Sequence, residues 1–282
     1  FLGRATWLSV GNLRCSARSG FALLKGENSM NKNDQSDEPL VSIGMPVRNG
    51  ERHIREAVES LLAQSYRNIE LTISDNASTD NTVNICRENS HHDDRLKVLE
   101  SSRNQGQIKN FRKAFAGSTG KYFAWAGDHD LWHPDWVETH VDALESHPEV
   151  VLAYPHTVPI SSEGERIPNR FDSFDTFGLS KRQRIAAASR LMIGAGNKVY
   201  GLYRTSALRK TSVFPYFCGP DRLLLMELSL HGSFKQIDRE LWYRRYQNDH
   251  PAIASGIPGD YDTLIKHYRR YLFDGETAAP WH

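Results

Sequence analysis

The sequence predicts an α/β protein with a mainly parallel sheet flanked by helices. Three observations point there. Short apolar runs alternate with amphipathic segments in a βαβαβαβ order through residues 40–146. Three of the four predicted strands run into polar loops, at 46–50, 75–80 and 127–130. The intervening segments suit the right-handed crossovers of a parallel sheet, whose ligands bind outside the carboxyl ends of the strands. The three loops are therefore expected to gather at one edge.

Each element has its own signal. Residues 40–47 form an apolar run that meets Pro46 and then Asn49-Gly50, a buried strand feeding a loop. In 51–64, Ile54, Ala57, Val58, Leu61 and Leu62 share one helical face. Residues 69–74 alternate as a strand and stop at the polar cluster 75–80. A helix is predicted over 79–88, capped by Ser78 or Thr79. A third strand at 96–99 and a helix at 108–116 follow. Residues 122–126 are the fourth strand, and 134–146 a helix with Pro134 in its first turn. Beyond 148 the pattern changes: strands are predicted at 150–154, 198–203, 234–237 and 241–245, and helices at 180–192 and 221–230.

The 282 residues are 39% hydrophobic and 24% charged, which is ordinary for a globular protein. Thirty-five basic against 34 acidic residues leave no electrostatic footprint for nucleic acid. Cys15, Cys86 and Cys218 have no metal-ligand spacing and do not suggest a disulfide framework, so a reducing cytoplasm is the expected compartment. No apolar run approaches the roughly 18–20 residues that span a bilayer, so a membrane-bound acceptor is met by peripheral contact at the inner face.

Residues 1–38 are expected to be a poorly ordered leader or non-native extension. Arg4, Arg14 and Arg18 resemble a transit peptide, without a continuous apolar core for secretion. The favoured reading is translated leader ahead of a start at Met30, because Lys25-Gly26-Glu27 can be encoded by a purine-rich ribosome-binding sequence.

Asp128-His129-Asp130 is the sharpest chemical feature. Two carboxylates one residue apart at a strand end can grip Mg2+ or Mn2+, hard cations that take oxygen ligands and keep places for phosphate. Such a metal neutralises charge on a departing diphosphate. His129 is either a ligand or a packing and capping residue. Asp75 either accepts a hydrogen bond from a base N–H or caps a helix. Asn104, Gly106, Lys109 and Asn110 surround a predicted helix N-terminus, where an anionic or polar ligand is favoured; solvated helix residues are the alternative. Asp221, opening a late helix, is either a dipole partner or a general base. Arg244 could hold diphosphate oxygens and His250 complete a metal shell; a basic strand end is the other reading.

Taken in order, Val41 to Gly50, Glu56 to Tyr66, the turn Asp75-Asn76-Ala77-Ser78-Thr79-Asp80-Asn81-Thr82, Asn104-Gln105-Gly106 with Asn110, and Asp128-His129-Asp130 resemble the family 2 glycosyltransferases over about residues 39–250. The resemblance implies a GT-A fold, a Rossmann-like nucleotide-binding sheet with a C-terminal acceptor-side extension. It divides the chain into a nucleotide-sugar-binding half at 39–148, an acceptor-binding and catalytic half at 149–250, and a helical tail at 251–282. It further implies inverting, metal-dependent transfer of a sugar from a UDP- or dTDP-type donor to a saccharide or lipid-linked saccharide in cell-surface polysaccharide synthesis. Donor contacts would come from Pro46, Val47, Asn49, Asp75, Asn104, Gly106, Lys109, Asn110, Asp128 and Arg244. Asp128, Asp130 and His250 would hold Mn2+ or Mg2+, and Asp221 would be the base. Asn197 to Leu208, with Gly201 and Arg204, resembles the segment before the acceptor-side helix. Two departures stand out: Pro220 occupies the place of a common Glu before Asp221, and Tyr246 takes the place of a late His.

Two other classes compete. A sugar-phosphate nucleotidyltransferase would share the sheet and metal carboxylate but needs a Gly-rich basic loop after the first strand, which Met45 to Asn49 does not provide. A non-catalytic nucleotide-sugar-binding module would be expected to lose a metal carboxylate or the base, and Asp128, Asp130 and Asp221 are all present.

Overall fold

The computed structural model describes residues 38–168, 173–191, 195–216 and 219–246. They build one eight-stranded sheet with helices on both faces, in the strand order β3-β2-β1-β4-β7-β6-β8-β5. β1 (Val41–Val47), β2 (Ile69–Asp75), β3 (Leu96–Glu100) and β4 (Tyr122–Trp125) are mutually parallel, as predicted. Their carboxyl ends therefore lie along one edge.

Side-chain alternation divides the core between the two faces. From β1, Val41, Ile43, Met45 and Val47 pack against α1 (Ile54–Leu62), α2 (Thr82–Ser90) and α4 (Trp136–Ser146). The opposite face carries α3 (Gln107–Ala116). At Gly44 a Cβ would come within 2.7 Å of the Ala114 carbonyl, so the α3 backbone rides directly on the strand. In β4, Tyr122 and Ala124 face the first core, and Phe123 and Trp125 face the second. Trp125 meets Tyr203 and Phe214 edge-on at 5.4 and 4.9 Å, which ties the later chain onto β4.

The second half departs from its prediction. The run at 198–203 splits into a helical turn, α6 (Ala195–Lys198), and the short strand β7 (Leu202–Arg204), antiparallel to β4. The divide falls at Gly201, where any Cβ would strike the Ala153 carbonyl at 2.4 Å. β6 (Val150–Ile160) continues well past 154. The two strands predicted at 234–237 and 241–245 are one, β8 (Ser233–Arg245), parallel to β6. Its register jumps where His156 pairs with Glu240 and Thr157 with Trp242, so irregular pairing, not a chain break, interrupts the alternation. A two-residue strand, β5 (Leu131–Trp132), pairs antiparallel with β8 and follows the Asp128–Asp130 segment directly. Pro134 lies before α4 rather than in it, its carbonyl accepting from the Ser65 N–H at 2.9 Å. α5 (Lys181–Leu191), α7 (Thr205–Leu208) and α8 (Pro220–Ser229) complete the fold.

Candidate active site

The β1 and β2 loops are stitched together by short side chains. Asn49, in the left-handed region at φ 57°, donates its N–H to Ser78 Oγ and accepts the Thr79 N–H on Oδ1, both at 2.9 Å. The Gly50 N–H donates to Thr82 Oγ1 at 2.8 Å, and the Glu51 N–H to Asp80 at 3.2 Å. Asp80 also accepts from the Thr82 N–H at 3.1 Å. Helix α2 therefore begins at Thr82, three residues later than the sequence suggested, with Asp80 rather than Ser78 or Thr79 satisfying its first turn. Burial pushes the Asp80 carboxyl up, but these hydrogen bonds outweigh it and hold its pKa below the usual range.

Asp75 closes β2, is 2% exposed, and accepts the Ser78 N–H on both oxygens at 3.1 and 3.3 Å. Beside it, Asn76 donates to Asn104 Oδ1 at 2.7 Å and accepts the Gln105 N–H at 2.8 Å. Asn104 accepts the Gly106 N–H at 2.9 Å. Buried Asn110 accepts from Ser74 Oγ at 2.7 Å and donates to the Val47 carbonyl at 3.3 Å. The polar residues around the α3 N-terminus thus lock the ends of β1 and β2 to the approach to α3.

Asp128 and Asp130 lie at the end of β4, on the same edge. Asp128 packs against the first loop: a Cβ on Gly50 would lie 2.6 Å from its Oδ2. His129 Nδ1 is 2.7 Å from Asp128 Oδ1, and its Nε2 is 3.7 Å from Asp130 Oδ1. The imidazole lies between the two carboxylates. Burial opposes its charge, but the acids prevail and raise its pKa above the ordinary 6.5. Asp130 is 2% exposed and accepts from Trp242 Nε1 at 3.2 Å and the Arg245 N–H at 3.0 Å. Burial raises its carboxyl pKa despite those donors and neighbouring cations.

β8 closes the other side. Arg245, 5% exposed, donates to the His129 carbonyl at 2.9 Å, the Ser162 carbonyl at 2.7 Å and Glu56 Oε2 at 2.8 Å. One guanidinium thereby holds the 128–130 segment, the β6 exit and α1. The neighbouring Arg244 bonds Asn197 Oδ1 and lies 4.9 Å from the Tyr246 ring centroid. Its charge acts on Asp130 and on Asp221. Asp221 follows Pro220 in the first turn of α8, behind the left-handed Gly219. Burial raises its pKa, partly offset by the Arg222 N–H and charge.

These features sit in a matched sequence framework. The family model described as Glycosyl transferase family 2 matches residues 42–214, more than half of the chain. The chain belongs to this family. EpsE of Bacillus subtilis (strain 168), provisionally assigned as a glycosyltransferase, is 37% identical over 101 residues, 36% of each chain. TuaG of the same organism, provisionally assigned to teichuronic acid biosynthesis, is 34% identical over 101 residues, 36% of this chain and 40% of its own. The chain thus spans well under half the length of these relatives. In fold it is similar to S. aureus TarS 1-349 in complex with UDP-GlcNAc, with TM-score 0.62 and 18% identity over 81% of this chain and 65% of that one. The mannosyltransferase PcManGT from Pyrobaculum calidifontis, in complex with GDP-Man and Mn2+, gives TM-score 0.54 and 15% identity over 84% and 63%. The fold is accordingly the GT-A sheet.

Within this family 2 chain, the expected site residues divide by what they already do. Val47 turns its side chain into the core, and its carbonyl accepts from the Asn76 N–H and Asn110. Pro46 remains within β1, and Lys109 is exposed. Asn49, Asn104 and Asn110 build the loops through their side chains. Gly106, at φ 83°, has open space where a side chain would be. Arg204 serves the frame, donating to the Val150 and Leu144 carbonyls at 3.1 and 2.8 Å. His250 and the tail from 251 lie outside the described residues, as do the leader through 37, Cys15 and Cys218.

At 128–130 the Asp130 oxygens already accept from Trp242 Nε1 and the Arg245 N–H, while Asp128 lies against the Gly50 turn. The two carboxylates are hard oxygen donors, and among the described residues no group of three or more His, Cys, Asp or Glu is placed to hold a metal ion by itself. Mg2+ and Mn2+ commonly take few protein oxygens and complete their shell with phosphate and water.

Four residues not singled out in the sequence belong to this region. Arg245 and Trp242 hold Asp130, Tyr200 packs on Trp242, and Arg48 follows β1. The Arg48 Nε is buried with no hydrogen-bond partner. Only Arg48 had a readable signal, an arginine at a strand end directly before Asn-Gly. The other three depend on pairing that the local pattern does not reveal.

Proposed function

We propose that this chain transfers a sugar from a nucleoside-diphosphate donor to a hydroxyl of a saccharide or lipid-linked saccharide, with inversion, in cell-surface polysaccharide assembly. The single observation that carries this reading is the meeting of Gly50 with Asp128. It sets the Asp128 carboxylate against the loop that is stitched to the Asp75 turn. The teichuronic acid role in the name of TuaG supports a part in polymer synthesis, and the UDP-GlcNAc bound to TarS supports a uracil nucleotide.

Asp75 and the 76–80 turn take the base, and Arg48 brings its buried Nε to the donor. Asp128 and Asp130 would hold Mn2+ or Mg2+, which supplies Lewis-acid neutralisation of the leaving diphosphate. Arg244 adds fixed positive charge on the same side. Asp221 takes the proton from the acceptor hydroxyl. The acceptor oxygen bonds to the anomeric carbon as the bond from that carbon to the diphosphate oxygen breaks, and the electron pair leaves with the nucleoside diphosphate. Burial raises the Asp221 pKa towards the working pH, which makes its carboxylate a better proton acceptor.

The test is release of nucleoside diphosphate from UDP-glucose, UDP-galactose, UDP-GlcNAc, dTDP-glucose and GDP-mannose with Mn2+, alongside binding of UDP, dTDP and GDP. Parental protein should turn over at least one donor. Asp221→Asn should lower that rate by roughly 10²–10⁴-fold while retaining nucleotide affinity. An unchanged rate would remove Asp221 as base, and failure to bind any nucleotide would remove the donor reading.

A further inference from the structure

Tyr200 lies beside the indole that holds Asp130 and packs on the core cluster that includes Leu224 and Leu225 of α8. Its ring packs on Trp242 at 5.1 Å, with 32° between the planes, and that indole donates to Asp130. Its phenol lies in the electrostatic reach of Asp130, Asp128, Asp221 and Arg244 together. Its backbone is equally fixed: the Tyr200 N–H donates to the Asn197 carbonyl, and Asn197 Oδ1 bonds Arg244. Next in the chain, Gly201 presses against Ala153 too closely for any side chain. The residue is half-buried. The burial and acidic neighbours that hold the phenol protonated leave it able both to donate and to accept.

A nucleotide-sugar donor is ordered base, diphosphate, sugar, with the acceptor beyond the sugar. On the proposed reading, Asp75 marks the base end, Asp128 and Asp130 the diphosphate, and Asp221 the acceptor. A side chain that borders Asp130 through Trp242 and packs on the core under α8, the helix that carries Asp221, is placed to meet the sugar. We propose that Tyr200 is a sugar-contacting residue, its hydroxyl hydrogen-bonding a hydroxyl of the transferred sugar while Trp242 holds the ring in place. A rigid aromatic bearing one amphoteric hydroxyl suits a neutral polyol better than a phosphate, whose charge calls for cations. This inference rests on the proposed donor site but is separable from it, because it concerns the sugar and not the nucleotide.

Tyr200→Phe keeps the ring and removes the oxygen. With Mn2+ present, dissociation constants would be measured for UDP, dTDP and GDP and for the matching nucleotide sugars, on parental and variant protein of equal thermal stability. In the parent, the sugar should strengthen binding over the bare nucleoside diphosphate for at least one donor. Tyr200→Phe should erase about 3–10-fold of that gain and leave nucleoside diphosphate affinity within twofold. Tyr200→Ala, which also removes the ring, should lose the gain entirely. An undiminished gain in Tyr200→Phe overturns the inference, as does a parent that gains nothing from the sugar or a variant whose nucleoside diphosphate affinity falls equally. Should the parent bind no nucleotide at all, the donor reading itself fails.

Discussion

The two halves of the sheet build their parts of the site differently. In the first, β1 to β4 run parallel, and each functional loop is the few residues directly after a strand. Asn49, Asp75 and Asp128 reach the same edge because parallel strands end together. In the second, β7 runs against its neighbours, and β6 and β8 are long and paired with register shifts. Trp242 and Arg245 reach Asp130 across more than a hundred residues of chain. Local turn chemistry thus shapes the β1 and β2 loops, whereas the Asp130 carboxylate is held by distant strand pairing.

If that contrast is correct, substitutions on β8 should damage the 128–130 segment without touching it. The largest effect is expected from Arg245→Met, which removes a buried guanidinium from two carbonyls and Glu56. Glu56 is 60% exposed, so its ion pair contributes little, and the loss lies mainly in the carbonyls left unsatisfied. Urea unfolding should show destabilisation by about 3 kcal/mol. A variant as stable as the parent would show that the two halves are not joined through this side chain.

An intermediate effect comes from α4, which packs beneath both halves. His140 is fully buried, donating from Nδ1 to the Trp136 carbonyl, and burial holds its pKa down to about 3 from the ordinary 6.5. As pH falls below 6.5 the unfolded chain takes up a proton that the folded chain refuses. The stability present above that pH is therefore lost progressively towards pH 3. Between neutral pH and about pH 5 the parent should lose roughly 2 kcal/mol more than His140→Leu does. Parallel pH profiles for the two proteins would contradict this.

The smallest expected change is in Trp242→Phe, which keeps an aromatic ring but removes the donor to Asp130. Destabilisation by about 1 kcal/mol is expected in the same unfolding experiment. Both variants keep the backbone N–H of residue 245 on Asp130, and only Arg245→Met frees the His129 carbonyl, so metal-supported nucleotide binding should weaken less in Trp242→Phe than in Arg245→Met. The reverse order would place the control of Asp130 in the indole.

The same contrast explains what could be read from the chain. The four parallel strands, their helices and the loops at 46–50, 75–80 and 127–130 were legible because period and turn residues coincide there. Gly50 was visible as a turn residue, but its packing against Asp128 required coordinates. The predicted strands at 234–237 and 241–245 were really β8, whose irregular register breaks the alternation a local reading depends on. β5 is two residues long and carries no period of its own. Arg245 looks like any arginine in a basic run, and only its enclosure by three elements distinguishes it. The family match ends at residue 214, so Asp221 and β8 lie beyond it and stand on geometry alone.

The most direct test of the central claim, that the edge formed by the β1, β2 and β4 loops binds a nucleoside diphosphate through a metal at Asp128, is calorimetric titration of UDP, dTDP and GDP. It would be done with Mn2+ and with EDTA, on the parent and on Asp128→Ala. At least one nucleotide should bind the parent with Mn2+ and lose most of its affinity in EDTA or in Asp128→Ala. Equal binding by the variant, or binding indifferent to metal, would contradict the account.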